Sequence, residues 1–432
     1  MGSRGDVQPG LVLARGLRER GHEVTLGVAP NLLDLAEREG LTAVPLGVDS
    51  AELLRSDLVR ARMRSRDPRE RVAAVREVSV HGWDELRTGL LELAEGADVV
   101  LTGLLGQEVG SAVAERVGCG FAALHYAPVR ANDVVGLLPR NGGPRLTAAT
   151  WRVGERLRWQ LTRAGENRQR AALGLAPAVV GLPQRLAERG ALEVQAYDPV
   201  LMPQLAERWG PRRPFVGYLR PGRTADVPAN MPADLPADVP GDVMSSRAQG
   251  IAPDAGGVED PELERALGEG AVHVGFGSMP VPDPAALLRV LDEVAERLGT
   301  PIVWGTGWSE IPAVSSGRLV VRRELDHAAV LPRCLASVHH GGAGTTGAVL
   351  AAGVPQVVCW FSADQPLWAR LLHQAGVGEG MAFRSLDVGR LTDALRRVLA
   401  DGVRERARTV ADRVVPEVEA LAAAIDALER AH

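Results

Sequence analysis

From Ala336 to Gln365 the chain reads ASVHHGGAGTTGAVLAAGVPQVVCWFSADQ, and no other stretch limits its possible folds so tightly. Two short apolar segments flank a glycine-rich turn and a helix of small residues, which is one crossover unit of a parallel sheet. The turn opens that helix, so its first amides have no intrahelical partner and sit at the positive end of the helix dipole, a ready site for an anion. His340 adds a side-chain donor beside the turn. Asp364 and Gln365 stand at the end of the second segment, so an anion and a polyhydroxyl group can be held one strand apart.

The same alternation runs through the rest of the chain. LVLARGLRERGHEVTLGV predicts a helix ending at Gly21 and a strand from Glu23 to Val28, and residues 50–95 and 145–175 read as helical. ADVVLTG, CGFAALHY and LEVQAYDP supply strands in the first half; AVHVGFGSM, TPIVWGTGW and GRLVVRREL supply them in the second. At 432 residues the chain exceeds one ordinary core. The expected architecture is α/β, with two Rossmann-like doubly wound domains facing across a cleft. The domains are set at 1–219 and 261–414, joined by a Pro/Ala/Asp-rich flexible linker at 220–260 that lacks hydrophobic periodicity. A C-terminal helix at 415–432 is expected to pack back on the first domain.

Composition removes several classes of function. A net charge of −5 and a pI of about 6.1 argue against nucleic acid as a partner. All the basic side chains are Arg. Cys119, Cys334 and Cys359 lie in or beside apolar runs without ligand spacing, the pattern of buried, reduced thiols. No apolar run reaches transmembrane length and no signal-peptide core is present, so the expectation is a cytoplasmic protein without stable membrane insertion, monomeric or weakly dimeric.

Gly342, Gly344 and Gly347 have G-x-G-x-x-G spacing after a strand, and Asp364 falls where a ribose-binding acid would stand. A dinucleotide-dependent oxidoreductase is therefore one reading. It leaves unexplained the histidine pair before the glycines, the Gln after the acid, and the whole first domain. The joint pattern resembles the donor signature of nucleotide-sugar glycosyltransferases of the GT-B fold, the superfamily of plant, sterol and antibiotic glycosyltransferases. Counted from His340, Gly353-Val354-Pro355 lie at +13 to +15 and Asp364-Gln365 at +24 and +25, which is that family's register. VGFGSM at 274–279 resembles the loop after the family's first C-domain strand, and MGSRGDVQP resembles the N-terminal loop of its sterol and glycopeptide members.

The resemblance implies an inverting hexosyltransferase that moves sugar from a UDP- or dTDP-sugar to a hydroxyl of a hydrophobic small molecule (polyketide, macrolide, peptide antibiotic or sterol-like). It implies Asp6 as the base and Ser278, His340, Gly342, Gly344 and Thr345 around the diphosphate, with His339 only a neighbour. Asp364 and Gln365 would contact the sugar. Trp304, Arg322 and Leu325 are candidates for the nucleotide base, with Trp308 as an alternative, and His125 for the acceptor side. No metal or other cofactor is expected, because the helix end takes the metal's place beside the phosphates. An Asp with an ordinary pKa near 4 is a weak base for an alcohol and needs burial or concerted transfer.

The family places an apolar strand ahead of the GSRGD loop, and here the loop begins at Met1. Loss of about five buried apolar residues forfeits on the order of 8–15 kcal/mol. The expectation is therefore coding sequence upstream of Met1. Without it, the first domain would be weakened and the chain would be a non-catalytic nucleotide-sugar-binding homologue.

Overall fold

The computed structural model describes residues 2, 4–60, 62, 65, 67–137, 143–220, 260–279, 281–309 and 311–431. Most of the expected linker, residues 221–259, therefore lies outside the described residues.

The second half is built on one seven-stranded sheet. Its strands are β6 (Val272–Gly275), β7 (Ile302–Gly305), β8 (Val314–Ser316), β9 (Leu319–Arg322), β10 (Ala336–His339), β11 (Gln356–Trp360) and β12 (Gly378–Ala382). Their order is β12-β11-β10-β6-β7-β9-β8, parallel throughout except for the edge strand β8. Val272, Val274, Val338, Val357 and Trp304 meet Leu287, Leu291 and Leu395 from the covering helices in one core, the continuous apolar pattern of a sheet buried on both faces. The register sets His339 opposite Gly275, Gly275 opposite Gly305, and Gly305 opposite Arg322. Four strands thus end in one row, and the chain reverses direction across the sheet between β10 and β6, where ligands of open α/β sheets bind.

The first half carries β1 (Gly27–Val28), β2 (Val44–Pro45), β3 (Val99–Thr102), β4 (Gly120–His125) and β5 (Leu192–Gln195). These form two separate parallel sheets, β1-β2 and β3-β4-β5. The strand expected over Glu23–Val28 is reduced to its last two residues, because only Leu26 and Val28 exchange hydrogen bonds with the chain around β2. Residues 50–95 are largely helical, as the polar pattern predicts, and Pro144–Ala172 forms one 29-residue helix.

The halves are tied at several places, among them a shared core of Tyr197, Met202 and Tyr218 with Leu350, Val358 and Trp368, and two ties run through the C-terminal segment. The last helix, Glu417–Ala431, lays Ala420, Ala424, Ile425 and Leu428 against Val12, Leu13, Leu124 and Val194 of the first half. A Cβ on Gly16 would stand 2.8 Å from Leu421, so only glycine lets the first and last helices cross this closely. At the second tie the buried Asp198 carboxylate accepts the backbone N–H of Val415 at 2.7 Å.

Candidate active site

The helix Ala343–Ala351 begins at Gly342 with no side-chain cap. Elsewhere in this half, Asp260, Asp283, Asp326 and Asp387 each cap a helix by accepting a backbone N–H. The first intrahelical bond of the uncapped helix is Thr346 N–H to Gly342 O at 2.9 Å, leaving the amides of Ala343, Gly344 and Thr345 without helical acceptors. Nothing lies within 4 Å of where a Gly344 Cβ would stand, and Gly344 itself is exposed, so the helix start is open at this residue.

His340 flanks that turn. A Cβ on Gly342 would come within 2.5 Å of its Nε2, so glycine is what lets the imidazole lie over the turn. Burial pushes its pKa down to about 4, against a smaller upward pull from the Gly275 backbone, so the ring is neutral at physiological pH and its Nδ1 is enclosed. His339 does different work. It accepts the Gly341 N–H at Nδ1 (3.0 Å) and meets the Gln356 amide oxygen through Nε2 (2.8 Å), while Gln356 reaches Thr346 O. Burial first, and His340 second, holds its pKa near 3. This chain of bonds braces the turn from beneath. The two rings leave opposite faces of the strand end, and Gly341, at φ +87°, makes the left-handed step into the turn.

Ser278 stands half-buried in the loop after β6. That loop and the one after β7 interlock: Trp308 N–H donates to Gly277 O at 3.1 Å, and a Cβ on Gly307 would meet the same oxygen at 2.3 Å. At the end of β11 the backbone is strained, with Ala363 at φ +58° immediately before Asp364. Asp364 accepts Trp368 Nε1–H at 2.8 Å. Burial raises its pKa, and the charge of Asp6 adds to the rise. Gln365 is buried, and its amide oxygen is taken up by the N–H groups of Phe361 and Ser362 at 2.7 and 3.1 Å. Only its NH2 remains to face a ligand.

Asp6 lies in the first turn of the helix Arg4–Glu19, where the dipole favours a carboxylate. Tyr126 fixes this turn by donating its hydroxyl to Asp6 O at 2.7 Å. Arg4 on the same turn helps burial depress the pKa of His327, whose ring meets His273 edge-on at 5.2 Å. The N-terminal turn is thus directed at the second half through two residues.

Three expectations are corrected. Trp304 is fully buried in the second core and cannot stack on a base; its neighbour in sequence space, Trp308, is 39% exposed beside the Gly277 loop. His125 is fully buried and lines no cleft. It faces Gln195 and the ion pairs of Glu193 with Arg130 and Arg213, and burial holds its pKa well below the usual value. Arg322 spends its in-plane donors on Asp260, Glu262 and Ser315, locking the start of the helix Pro261–Gly268. Leu325 packs over Gly305 at the end of β7.

One contact has no signal in the pattern. A Cβ on Gly347 would stand 2.4 Å from the ring of Tyr218, which leaves the first half just before the linker. The third glycine of the G-x-G-x-x-G spacing therefore admits a tyrosine of the other half. The dinucleotide reading loses its support at that position.

The family described as glycosyltransferase family 28 N-terminal domain matches residues 1–79, and the erythromycin biosynthesis protein CIII-like C-terminal domain matches 306–423. An uncharacterized glycosyltransferase of Mycobacterium bovis is 37% identical, covering 100% of this chain and 97% of its own. Glycosyltransferase GtfE of Amycolatopsis orientalis is 28% identical over 98% of this chain and 94% of its own. Among solved structures, glycosyltransferase VinC in complex with dTDP superposes with a TM-score of 0.62 at 20% identity, covering 99% of this chain and 98% of that one.

Proposed function

The chain belongs to the glycosyltransferases, and from that premise we propose that it is an inverting hexosyltransferase of natural-product or sterol type, using a UDP- or dTDP-sugar and a hydroxyl of a hydrophobic small molecule. The observation that carries the reading is the uncapped helix at Gly342 with His340 beside it. A thymidine diphosphate complex of a structural neighbour makes dTDP-sugars the first donors to test, alongside UDP-sugars.

In this mechanism the acceptor oxygen attacks the anomeric carbon on the face opposite the diphosphate. The bond from that carbon to the phosphate oxygen breaks, and its electron pair leaves with the diphosphate. Asp6 takes the hydroxyl proton as the new glycosidic bond forms. The amides of Gly344 and Thr345, the imidazole of His340 and the Ser278 hydroxyl bind the charge that grows on the leaving group, so they are catalytic as well as binding donors. Asp364 and the NH2 of Gln365 orient the sugar hydroxyls. No metal enters the scheme, and Trp308 supplies the face on which the base stacks.

The test is release of nucleoside diphosphate from labelled donors incubated with a panel of hydroxylated natural products, in the presence of a chelator. His340→Ala should weaken donor binding by about 10- to 100-fold, the value of a charge-assisted hydrogen bond. Asp6→Asn should abolish turnover while leaving donor binding intact. Unchanged donor affinity in the first variant would remove the donor site from this reading; unchanged turnover in the second would remove the base.

A further inference from the structure

The helix Pro144–Ala172 carries a pattern that the catalytic reading does not use. Arg145-Leu146, Arg152-Val153, Arg156-Leu157 and Arg163-Ala164 repeat an arginine–apolar pair at intervals of seven, four and seven residues. At 3.6 residues per turn this spacing writes two adjacent rows along one face about 28 Å long, one of arginines and one of aliphatic groups. The aliphatic row is open to water: Leu146, Val153 and Leu157 are 49%, 58% and 59% exposed, and Leu137, packed beside Gly154, is 48% exposed.

The arginine row is equally uncommitted. Elsewhere on the helix Arg158 pairs with Glu108 and Arg170 with Glu115, and both helix acids are satisfied, Glu155 by the Ala131 N–H and Glu166 by Arg185. Arg145, Arg152, Arg156 and Arg163 form no ion pair among the described residues. The two rows themselves carry no acid, on a chain whose net charge is −5; Asp133, which lines a cavity with Arg152, is paired with Arg208.

We propose that this face docks on an anionic lipid surface, the aliphatic row entering the headgroup–acyl boundary while the arginines reach the lipid phosphates. A nucleic acid would use the arginines and leave the aliphatic row wet. A second copy of the chain, pairing through the same face, would set arginine against arginine with no acid to answer it. An anionic bilayer satisfies both rows at once, and long arginine stems snorkel readily to phosphate depth. No described helix is long and apolar enough to cross a membrane, so the contact is peripheral. This proposal does not depend on the donor-site reading.

The experiment is flotation of the full-length protein with phosphatidylcholine vesicles, with and without phosphatidylglycerol. The protein should float with the anionic vesicles only, and release as salt rises. R145Q/R156Q should weaken partitioning by roughly 25-fold, about five-fold per arginine. L146S/V153S/L157S should abolish the fraction that survives salt. Both variants should keep the wild-type melting temperature and turnover, since neither touches the cleft. Failure to float with anionic vesicles, equal flotation with neutral ones, or indifference to both variants overturns the proposal. So does a dimer that the L146S/V153S/L157S variant disperses, or oligonucleotide binding that outcompetes the vesicles.

Discussion

Gly344 and Gly347 lie one turn apart on the same short helix, yet alanine at each should have opposite consequences. In an ordinary helix Gly→Ala stabilises by roughly 1 kcal/mol. At Gly344 a Cβ meets nothing within 4 Å, so that gain stands, although its end position reduces it. At Gly347 the Cβ lies 2.4, 2.5 and 2.7 Å from three ring atoms of Tyr218, well inside van der Waals contact, and the ring is only 2% exposed and has no room to retreat. Overpacking of this kind costs about 1–3 kcal/mol. Set against the propensity gain, Gly347→Ala should come out neutral to about 2 kcal/mol destabilising, and Tyr218→Ala in the same chain should recover the propensity gain. Urea unfolding of the four variants measures the coupling, expected at about 1–3 kcal/mol. Calorimetry with dTDP and UDP completes the contrast. Gly344→Ala should keep stability and lose diphosphate affinity, since the new methyl enters the open space at the helix start. A Gly347→Ala protein more stable than wild type, with zero coupling to Tyr218, would refute the packing argument, and undiminished affinity in Gly344→Ala would refute the binding argument.

Other predictions separate structural from functional side chains. Burial raises the Glu166 pKa from 4.5 to about 7, with Glu108 adding to the rise and Arg185 opposing it. The folded state therefore holds this proton more tightly than the unfolded one, so its contribution is whole below about pH 4.5 and is lost as pH rises through 7. Wild-type stability should accordingly fall as pH rises from 5 to 8, and Glu166→Gln should remove that fall, read as the pH dependence of urea unfolding, while leaving Arg185 without its partner. Trp304→Ala should cost about 3–5 kcal/mol of stability as a core deletion. Trp308→Ala should leave stability within about 0.5 kcal/mol and weaken nucleotide binding by about 1–3 kcal/mol, both measured by melting and calorimetry. Tyr126→Phe removes the hydroxyl that holds the turn of Asp6; it should lower kcat tenfold or more at unchanged donor affinity, with stability falling by only about 1 kcal/mol.

The second half was legible because its fold is written in local, redundant signals. Apolar strands alternate with helices that open on Asp caps, and the sheet registers follow from that alternation. The first half was less so. Its strand after Gly21 looked long in the sequence, but a strand is defined by its neighbours, and only the end of this one has a hydrogen-bonded partner in the described chain. The tyrosine of one half seated on a helix of the other, through Tyr218 and Gly347, is a contact between residues 129 positions apart, and no periodicity reports it.

At the site the errors share a physical cause. His125 ends a strand and Trp304 stands one residue before the end of another, near where ligands of such sheets bind. A strand end has two faces, and the sequence around Trp304 (IVWG) is apolar on both, so the choice between core and cleft was not encoded locally. For His125 the deciding residues are Glu193, Arg130 and Arg213, which surround it from distant segments. His339 is the instructive counterpart. Gln356 is the only polar residue opening an otherwise apolar strand, and a buried amide needs a partner. The register puts Ser337 beside it and His339 within reach, so the brace could have been inferred once that amide was noticed. Adjacent histidines in one turn thus divide into a ring committed on both nitrogens and a ring whose Nε2 lies over the glycine turn, and it is the second that a ligand can still engage.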